Sequence, residues 1–390
     1  MTRTTIVAGR RAYSVNFDDP RRRGDLHQSI VIAQLVDELT GRPVHGAVRV
    51  TSRLRGGRPK SVRGGVGGMT GVPSRLFPDL AGQPYQLDVR FEADGFVPLS
   101  MPTVPVPQQP GFPGQFADVD LGQVSLRRPP VEISVRTMQL DPQDRPVGLP
   151  GATVEITGIW RRVDALAGAP VAPNLVALRP ALSAPRPQPG TTLERVTMTP
   201  VAEPVRRLLR PAEPGTRSLE VSRTGALAAG GVVGIDLADP DRVEHIAVDD
   251  VVGPADPGSP ATVVLAFPVQ NRHLEGGTVR EVTPAGLGPP TADLTDEGLP
   301  GDATAFVTSA APFAGGPVVR VTGGAEPDEY VRAGTYRVVT GADGYGRLPP
   351  LTRVAAVEVD ASAPGPLATP PTKFTPIYGV FENPLRLVLE

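Results

Sequence analysis

One phrase occurs twice in this chain, and it limits the folds that the chain can adopt. Residues 34–52 read QLVDELTGRPVHGAVRVTS, and residues 139–157 read QLDPQDRPVGLPGATVEIT. In both, an apolar run is followed by turn residues around an Arg-Pro-Val triplet and then by alternating apolar and polar side chains. This pattern predicts a strand, a tight turn and a second strand. We therefore expect a hairpin that opens each of two related β modules.

Proline and glycine are abundant, with 47 Pro and 44 Gly in 390 residues, while hydrophobic residues make up 40%. Because that hydrophobic share is sufficient for real cores, we expect proline and glycine to separate short strands rather than to mark a disordered chain. The length favours two or three units of ordinary size. The predicted fold class is all-β.

Charge and cysteine content exclude several classes of protein. The net charge is −2 with no long block of one sign, which is not the electrostatic pattern of a nucleic-acid binder. There is no cysteine, and so no disulfide, thiolate nucleophile or Cys-ligated zinc. The first residues carry charges where a signal peptide needs an apolar core, and no apolar run approaches the length of a membrane span. We expect a cytoplasmic protein that does not insert into membranes.

Module one is expected over residues 26–128, after an N-terminal arm over residues 1–25. Residues 54–74 are rich in glycine and are predicted to form a long loop without regular structure. The sequence YQLDVRF at residues 85–91 alternates as a half-buried strand does, and an Ala-Asp-Gly-Phe turn follows it at residues 93–96. A closing strand is predicted over residues 116–126.

Module two is expected to be split by an insertion. Its first half, residues 129–210, includes the stretch 161–210, which contains too much proline for a central strand. Its second half is placed at residues 285–390. There YRVVT at 336–340, followed by Ala-Asp-Gly-Tyr at 342–345, is predicted to match YQLDVRF and its turn, and residues 378–389 are the predicted closing strand.

The insertion, residues 211–284, contains five short β runs separated by Gly, Pro and Asp turns. They lie at residues 218–221, 232–237, 242–248, 261–266 and 277–282. Five short strands are enough for a small β-barrel-like module. The phrases GTRSLEVS and HLEGGTVREV are similar to a compact repeat-like β module found in phage-tail-like and bacterial surface proteins.

The paired phrases, each followed by a Tyr-led strand and an Ala-Asp-Gly-aromatic turn, resemble the carboxypeptidase regulatory-like domain. That family belongs to the transthyretin-like, seven-stranded, Ig-like β-sandwiches. The resemblance implies two sandwich modules, the second interrupted by the inserted module. It also implies a role as a spacer, stabiliser or docking surface, because the family has no chemistry of its own.

Four histidines are present: His27, His45, His245 and His273. None lies at metal-ligand spacing from another histidine or an acid in a way that builds a cluster. His245 follows Glu244 in a predicted strand, where neighbouring side chains point to opposite faces. Surface or packed histidines are therefore the favoured interpretation.

Three acidic pairs offer the hard oxygens that calcium prefers: Asp118 with Asp120, Asp239 with Asp241, and Asp249 with Asp250. None has the glycine and terminal glutamate of a binding loop, so solvated turns are favoured. No Gly-x-Ser-x-Gly nucleophile motif occurs. We assign no catalytic, cofactor-binding or metal-ligating residue, expect no cofactor, and predict that the protein is not an enzyme.

Five aromatic residues allow two interpretations. Trp160, Phe91, Phe96, Tyr336 and Tyr345 either form a platform for a glycan or fill the cores of the repeated modules. The core interpretation is favoured.

The expected function is structural. Arginine supplies all basic residues except Lys60 and Lys373, a bias typical of a GC-rich bacterial genome. Together with the two resemblances, this predicts a protein that docks on other protein subunits of a larger bacterial assembly, such as a phage-tail-like contractile injection particle. The alternatives are a glycan- or protein-binding surface module delivered outside the cell and, less favoured, a hydrolase. No small-molecule substrate is evident.

Overall fold

The computed structural model describes residues 3–8, 11–16, 27–54, 57–64, 67–73, 76–77, 84–107, 119–171, 174–254, 256–380 and 382–390. These residues form strands and two short 3-10 helices, Val163–Ala165 and Ala311–Phe313. The predicted all-β fold class is confirmed. Among the described residues there is no helix with the length and hydropathy needed to cross a membrane.

The first part of the chain forms two sheets around one core. Its strands are β1 (Arg3–Ala8), β2 (Arg11–Asn16), β3 (His27–Asp37), β4 (Val48–Leu54), β5 (Lys60–Arg63), β6 (Met69–Pro73), β7 (Tyr85–Ala93), β8 (Leu99–Val106) and β9 (Val119–Leu126). One sheet has the order β1-β2-β3-β6 with β9 parallel to β3, and the other has the order β5-β4-β7-β8. Side chains from both sheets, such as Leu35, Val50 and Phe91, share one buried cluster.

A second pair of sheets repeats this arrangement. Its strands are β10 (Ile133–Leu140), β11 (Pro146–Gly148), β12 (Thr153–Trp160), and, after a long interval, β25 (Arg337–Val339), β26 (Tyr345–Arg347), β27 (Ala356–Ser362), β28 (Thr372–Phe374) and β29 (Asn383–Val388). β10 pairs with β26 and, in parallel, with β29, as β3 pairs with β6 and β9. β12 lies between β25 and β27, as β4 lies between β5 and β7.

The recurring phrase forms only a short antiparallel turn around its Arg-Pro-Val triplet, where β11 pairs with β10 and Pro43 bridges to Val36. The second strand that the sequence predicts does not pair with the first. β3 and β4 belong to different sheets, and so do β10 and β12. The backbone N–H of Val44 donates to the carbonyl of Leu35 at 2.9 Å, and the next residues carry the chain across to the other sheet. Both strands bury apolar side chains in the same cluster, so the phrase is a corner between two facing sheets.

The predicted match between YRVVT and YQLDVRF is wrong. β25 pairs with β12 on the side where β5 pairs with β4, and the place of β7 is taken by β27. The Ala-Asp-Gly turns were misleading because they require only a glycine with positive φ, at Gly95 (81°) and Gly344 (74°). Such a turn constrains the local backbone but not the sheet position of the strand before it.

The glycine-rich stretch 54–74 also differs from the expectation of a loop, because it contains β5 and β6. Gly67 and Gly68 adopt positive φ values in the turn that precedes β6. The predicted closing strands are confirmed in part as β9 and β29. Residues 116–118 lie outside the described residues, and residues 378–380, which were included in the second predicted strand, form a turn before β29.

A twelve-stranded sheet occupies the interval between β12 and β25. Its strands are β13 (Leu175–Arg179), β14 (Thr192–Pro200), β15 (Arg206–Arg207), β16 (Ser218–Val221), β17 (Val232–Ile235), β18 (Glu244–Val252), β19 (Ala261–Leu265), β20 (Thr278–Gly286), β21 (Ala292–Asp293), β22 (Thr304–Phe306), β23 (Val318–Thr322) and β24 (Glu329–Gly334). The main path is β16-β19-β18-β17-β20-β14-β23-β24-β13-β22, with β15 on β20 and β21 on β14.

These twelve strands are two interlocked copies of a six-stranded repeat, β13–β18 and β19–β24. β14 and β20 begin at residues 192 and 278, β16 and β22 at 218 and 304, and β17 and β23 at 232 and 318, a spacing of 86 residues. The copies exchange strands, since β16 pairs with β19 while β22 pairs with β13, and β17 pairs with β20 while β23 pairs with β14. β14 and β20 pair at Met198 and Pro284, where an approximate two-fold axis passes.

All five strands predicted between residues 211 and 284 are present, but they do not close into a separate barrel. They share one sheet with strands on both sides of that segment, since β20 pairs with β14 and β15 and β18 meets β24. β18 and β24 meet at the single pair His245–Tyr330, so no continuous ladder closes this sheet. The prediction that residues 161–210 contain no central strand is wrong for β13 and β14. Four of their neighbouring prolines, Pro180, Pro185, Pro187 and Pro189, lie between these two strands.

Candidate functional site

The histidines lie in separate environments. His45 is exposed, His245 is 9% exposed and His273 is fully buried. The side chain of His27 lies outside the described residues. Within the described part of the chain, no group of three or more His, Cys, Asp or Glu side chains has a geometry that could hold a metal ion.

His273 lies between two carboxylates that the sequence did not connect to it. Its Nδ1 is 2.9 Å from Oδ2 of Asp236, at the end of β17, and its Nε2 is 3.3 Å from Oε1 of Glu244, at the start of β18. Burial lowers the pKa of His273, but the hydrogen bonds to Glu244 and Asp236 outweigh that effect and place the pKa above its usual value. Both ring nitrogens are occupied and no water can reach them. The arrangement therefore clamps strands together rather than offering a free base.

The equivalent place in the other copy holds an arginine instead. Arg186 is fully buried, and its Nε lies 3.0 Å from Oε1 of Glu329, the counterpart of Glu244 at the start of β24. Glu329 also accepts hydrogen bonds from the backbone N–H groups of Ser183 and Ala184. In both copies, a buried cation thus fastens the segment before β14 or β20 to a strand of the other copy. Only the tertiary structure brings these partners together, because they are far apart in the chain.

The acidic pairs are exposed or act within turns. Oδ1 of Asp120 accepts the N–H of Gly122 at 2.8 Å, and Oδ1 of Asp239 accepts the N–H of Asp241 at 3.0 Å. Oδ1 of Asp250 accepts the N–H of Val251 at 2.8 Å. Asp249, with its side chain 62% exposed, lies 3.9 Å from Arg217. Asp118 lies outside the described residues. Asp239 and Asp241 lie at a turn, as the sequence predicts, whereas Asp120, Asp249 and Asp250 are exposed residues of strands β9 and β18.

Three of the five aromatic side chains are buried, as the core interpretation predicts. Phe91, Trp160 and Tyr336 are 0%, 5% and 5% exposed, so none of them can stack on a glycan. Phe96 and Tyr345 are half-buried. The hydroxyl of Tyr345 donates to Glu382 at 2.7 Å.

A charged junction joins the three sheet assemblies. Arg353, which precedes β27, donates to Glu38 of the first pair of sheets at 2.9 Å and to Asp296 of the twelve-stranded sheet at 2.6 Å. Arg127, which follows β9, lies 3.3 Å from Glu38 and 2.8 Å from Asp302. Burial raises the pKa of Asp302 above its usual value, although Arg127 and Arg353 oppose this. We refer to these five residues as the charged junction.

The chain matches no protein-family model and no curated protein. One solved structure, described as "Ca2+-stabilized adhesin helps an Antarctic bacterium reach out and bind ice", is similar at 10% sequence identity. The alignment covers 92% of this chain and 99% of that chain, with a TM-score of 0.12. A likeness at that TM-score carries no argument about the fold or function of this chain.

Proposed function

We propose that this protein is a non-enzymatic structural subunit that docks on other proteins of a larger bacterial assembly. The observation that carries the proposal is the charged junction. The side chains of Arg353 and Arg127 are 13% and 14% exposed. Arg353 of the second pair of sheets binds Glu38 of the first pair and Asp296 of the twelve-stranded sheet, and Arg127 of the first pair binds Asp302 of the twelve-stranded sheet, so the ion pairs link all three assemblies. Charge-assisted hydrogen bonds of arginine are directional, so they hold neighbouring bodies in one relative orientation. A rigid spacer requires such a junction.

Each pair of sheets is, in this proposal, a transthyretin-like β-sandwich, and the twelve-stranded sheet is a unit inserted in the second. The matching positions of β3 and β10, and of β9 and β29, support it, because in both cases the last strand lies parallel to the first. The assembly is a phage-tail-like contractile injection particle formed in the cytoplasm. This last step rests on the sequence resemblances alone.

Gel filtration of the purified protein with the sheath, tube, cap and baseplate proteins of such a particle tests the docking role. We expect co-elution with at least one of them and no co-elution when the protein has been heat-unfolded. If none of the four classes binds, the proposed assembly is wrong. If the folded and unfolded samples bind equally, the association is nonspecific and the docking role is wrong.

A further inference from the structure

A cleft of about 420 Å³ lies between the second pair of sheets and the twelve-stranded sheet. Prolines from both bodies form part of its walls: Pro130, Pro350, Pro180 and Pro240. Proline presents a rigid apolar ring and has no N–H to donate. The polar character of the cleft must therefore come from the side chains between these prolines.

Two arginines face each other in this cleft. Arg179 on β13 and Arg332 on β24 are direct partners across the antiparallel pair, and both are exposed. Like charges at opposed positions of a sheet repel each other. Within the described residues, neither guanidinium forms an ion pair or a hydrogen bond. By contrast, Arg320 on β23 is opposed by Glu194 on β14 and forms an ion pair with it.

The internal repeat shows that the fold does not need this arginine pair. Leu178 pairs with Ala333 next to the arginines, and the equivalent pair in the other copy is Leu265 with Val248. The positions equivalent to Arg179 and Arg332 are therefore Ala266 and Ala247. The N–H of Ala266 donates to the carbonyl of Ala247 at 2.8 Å. The same backbone ladder forms with two alanines, so the charge repulsion serves something other than folding.

We propose that this cleft binds a carboxylate group carried on an apolar body. The planar forks of two guanidiniums match the two oxygens of a carboxylate, and binding it relieves their repulsion. The proline walls accept the apolar body, and the volume lies at the small end of the usual range for ligand sites. Glu132 and Asp241 also line the cleft and disfavour a doubly charged anion such as phosphate.

Titration calorimetry on the full chain tests the site, with benzoate and the peptide acetyl-Ala-Ala-Phe, which ends in a free carboxylate, as probes. We expect saturable binding of at least one probe and about tenfold weaker binding after either Arg179→Ala or Arg332→Ala, the loss typical of one charge-assisted hydrogen bond. Benzoate binding identifies a free small molecule as the ligand. Peptide binding without benzoate binding identifies the chain end of a partner protein.

Three controls make the test decisive. The double variant Arg49→Ala/Arg53→Ala removes the same charge from exposed positions on β4 and should bind as the native protein does. The C-terminal amide of the peptide should not bind. The cleft variants should keep their melting temperature, because alanines already occupy the equivalent positions. No saturable binding of either carboxylate, equal binding by Arg179→Ala/Arg332→Ala, or tighter binding of inorganic phosphate would overturn the proposal.

Discussion

Arg186 and His273 occupy equivalent positions in the two copies of the repeat, and each is fully buried against the equivalent glutamate. Arg186 Nη2 lies 2.9 Å from Oε1 of Glu329, and His273 Nε2 lies 3.3 Å from Oε1 of Glu244. Asp236 provides a second acid for the histidine, whereas Arg186 donates to the backbone carbonyl of Gly323. One copy therefore has a permanent cation at this position, and the other has a cation that can lose its proton.

His273 should make stability depend on pH. Because its pKa is raised, the protonated imidazole stabilises the fold fully below its unfolded pKa of about 6.5, and this stabilisation is lost as the pH rises through the higher folded pKa. We expect the free energy of unfolding in urea to fall as the pH rises above about 6.5, the ordinary pKa of histidine. His273→Gln should lower stability at the acid end and flatten the profile, and the exposed control His45→Gln should change neither. If His273→Gln leaves the slope of unfolding free energy against pH unchanged, protonated His273 does not stabilise the fold.

His245 should make the protein less stable at acidic pH, the opposite of the pH dependence expected from His273. Burial, followed by the charge of Arg332, lowers its pKa to about 4. The unfolded chain then takes up a proton more readily than the folded chain, so stability is full above about pH 6.5 and falls by up to about 3 kcal/mol as the pH approaches 4. An NMR titration of the imidazole should give a folded pKa near that value, and Arg332→Ala should raise it. A titration midpoint at the ordinary value would show that His245 is hydrated.

Arg353→Met should loosen the charged junction. The substitution removes the cation that binds Glu38 and Asp296 and leaves both acids without it. Removing one partner of a buried ion pair typically destabilises a protein by about 3–5 kcal/mol. We expect a loss near the lower end of that range, because Arg127 still neutralises Glu38. Urea unfolding measures the loss. Arg49→Ala, whose pair with Glu92 is exposed, should stay within about 0.5 kcal/mol. A similar small effect for Arg353→Met would mean that the junction is solvated.

Gly344→Ala should destabilise the second pair of sheets more than Gly379→Ala. Both glycines have positive φ, 74° and 83°. A Cβ at Gly344 would collide with the carbonyl oxygen of Thr137, whereas a Cβ at Gly379 would meet nothing within 4 Å. The strained φ alone costs about 1 kcal/mol, so we expect about that loss for Gly379→Ala and at least about 2 kcal/mol for Gly344→Ala. Thermal unfolding compares the two, and equal losses would show that β10 can move aside.

Local patterns predicted the strands well and their partners poorly. The five runs between residues 211 and 284 are all strands, because alternation of side chains is a property of a few consecutive residues. The exchange of strands between the two copies of the repeat was not foreseen. The sequence also did not predict the corner in residues 34–52. The same glycine and proline positions suit a hairpin turn within one sheet and a corner between two sheets.

For the candidate sites too, local sequence patterns predicted which side chains are buried but not which side chains meet. Burial of Phe91 and Trp160 followed from their place in apolar strands. A search for short motifs does not find the cluster of Asp236, Glu244 and His273, because His273 lies far from both acids in the chain. A comparison of the two repeat copies, with a buried arginine at one position and a histidine at the other, is the signal that could have found it.

The sequence by itself determined an all-β chain of short strands, and it predicted two related modules with a long interval between the halves of the second. These follow from side-chain periodicity and from turn residues, which act over a few bonds. Only the tertiary structure decided which strands pair, that twelve of them share one sheet, and that Arg179 meets Arg332 across it. The reason is physical. Many segments of the chain have a similar local preference for the strand conformation. Which of them pair depends on which apolar faces can be buried together, and those faces belong to segments that are distant in the sequence.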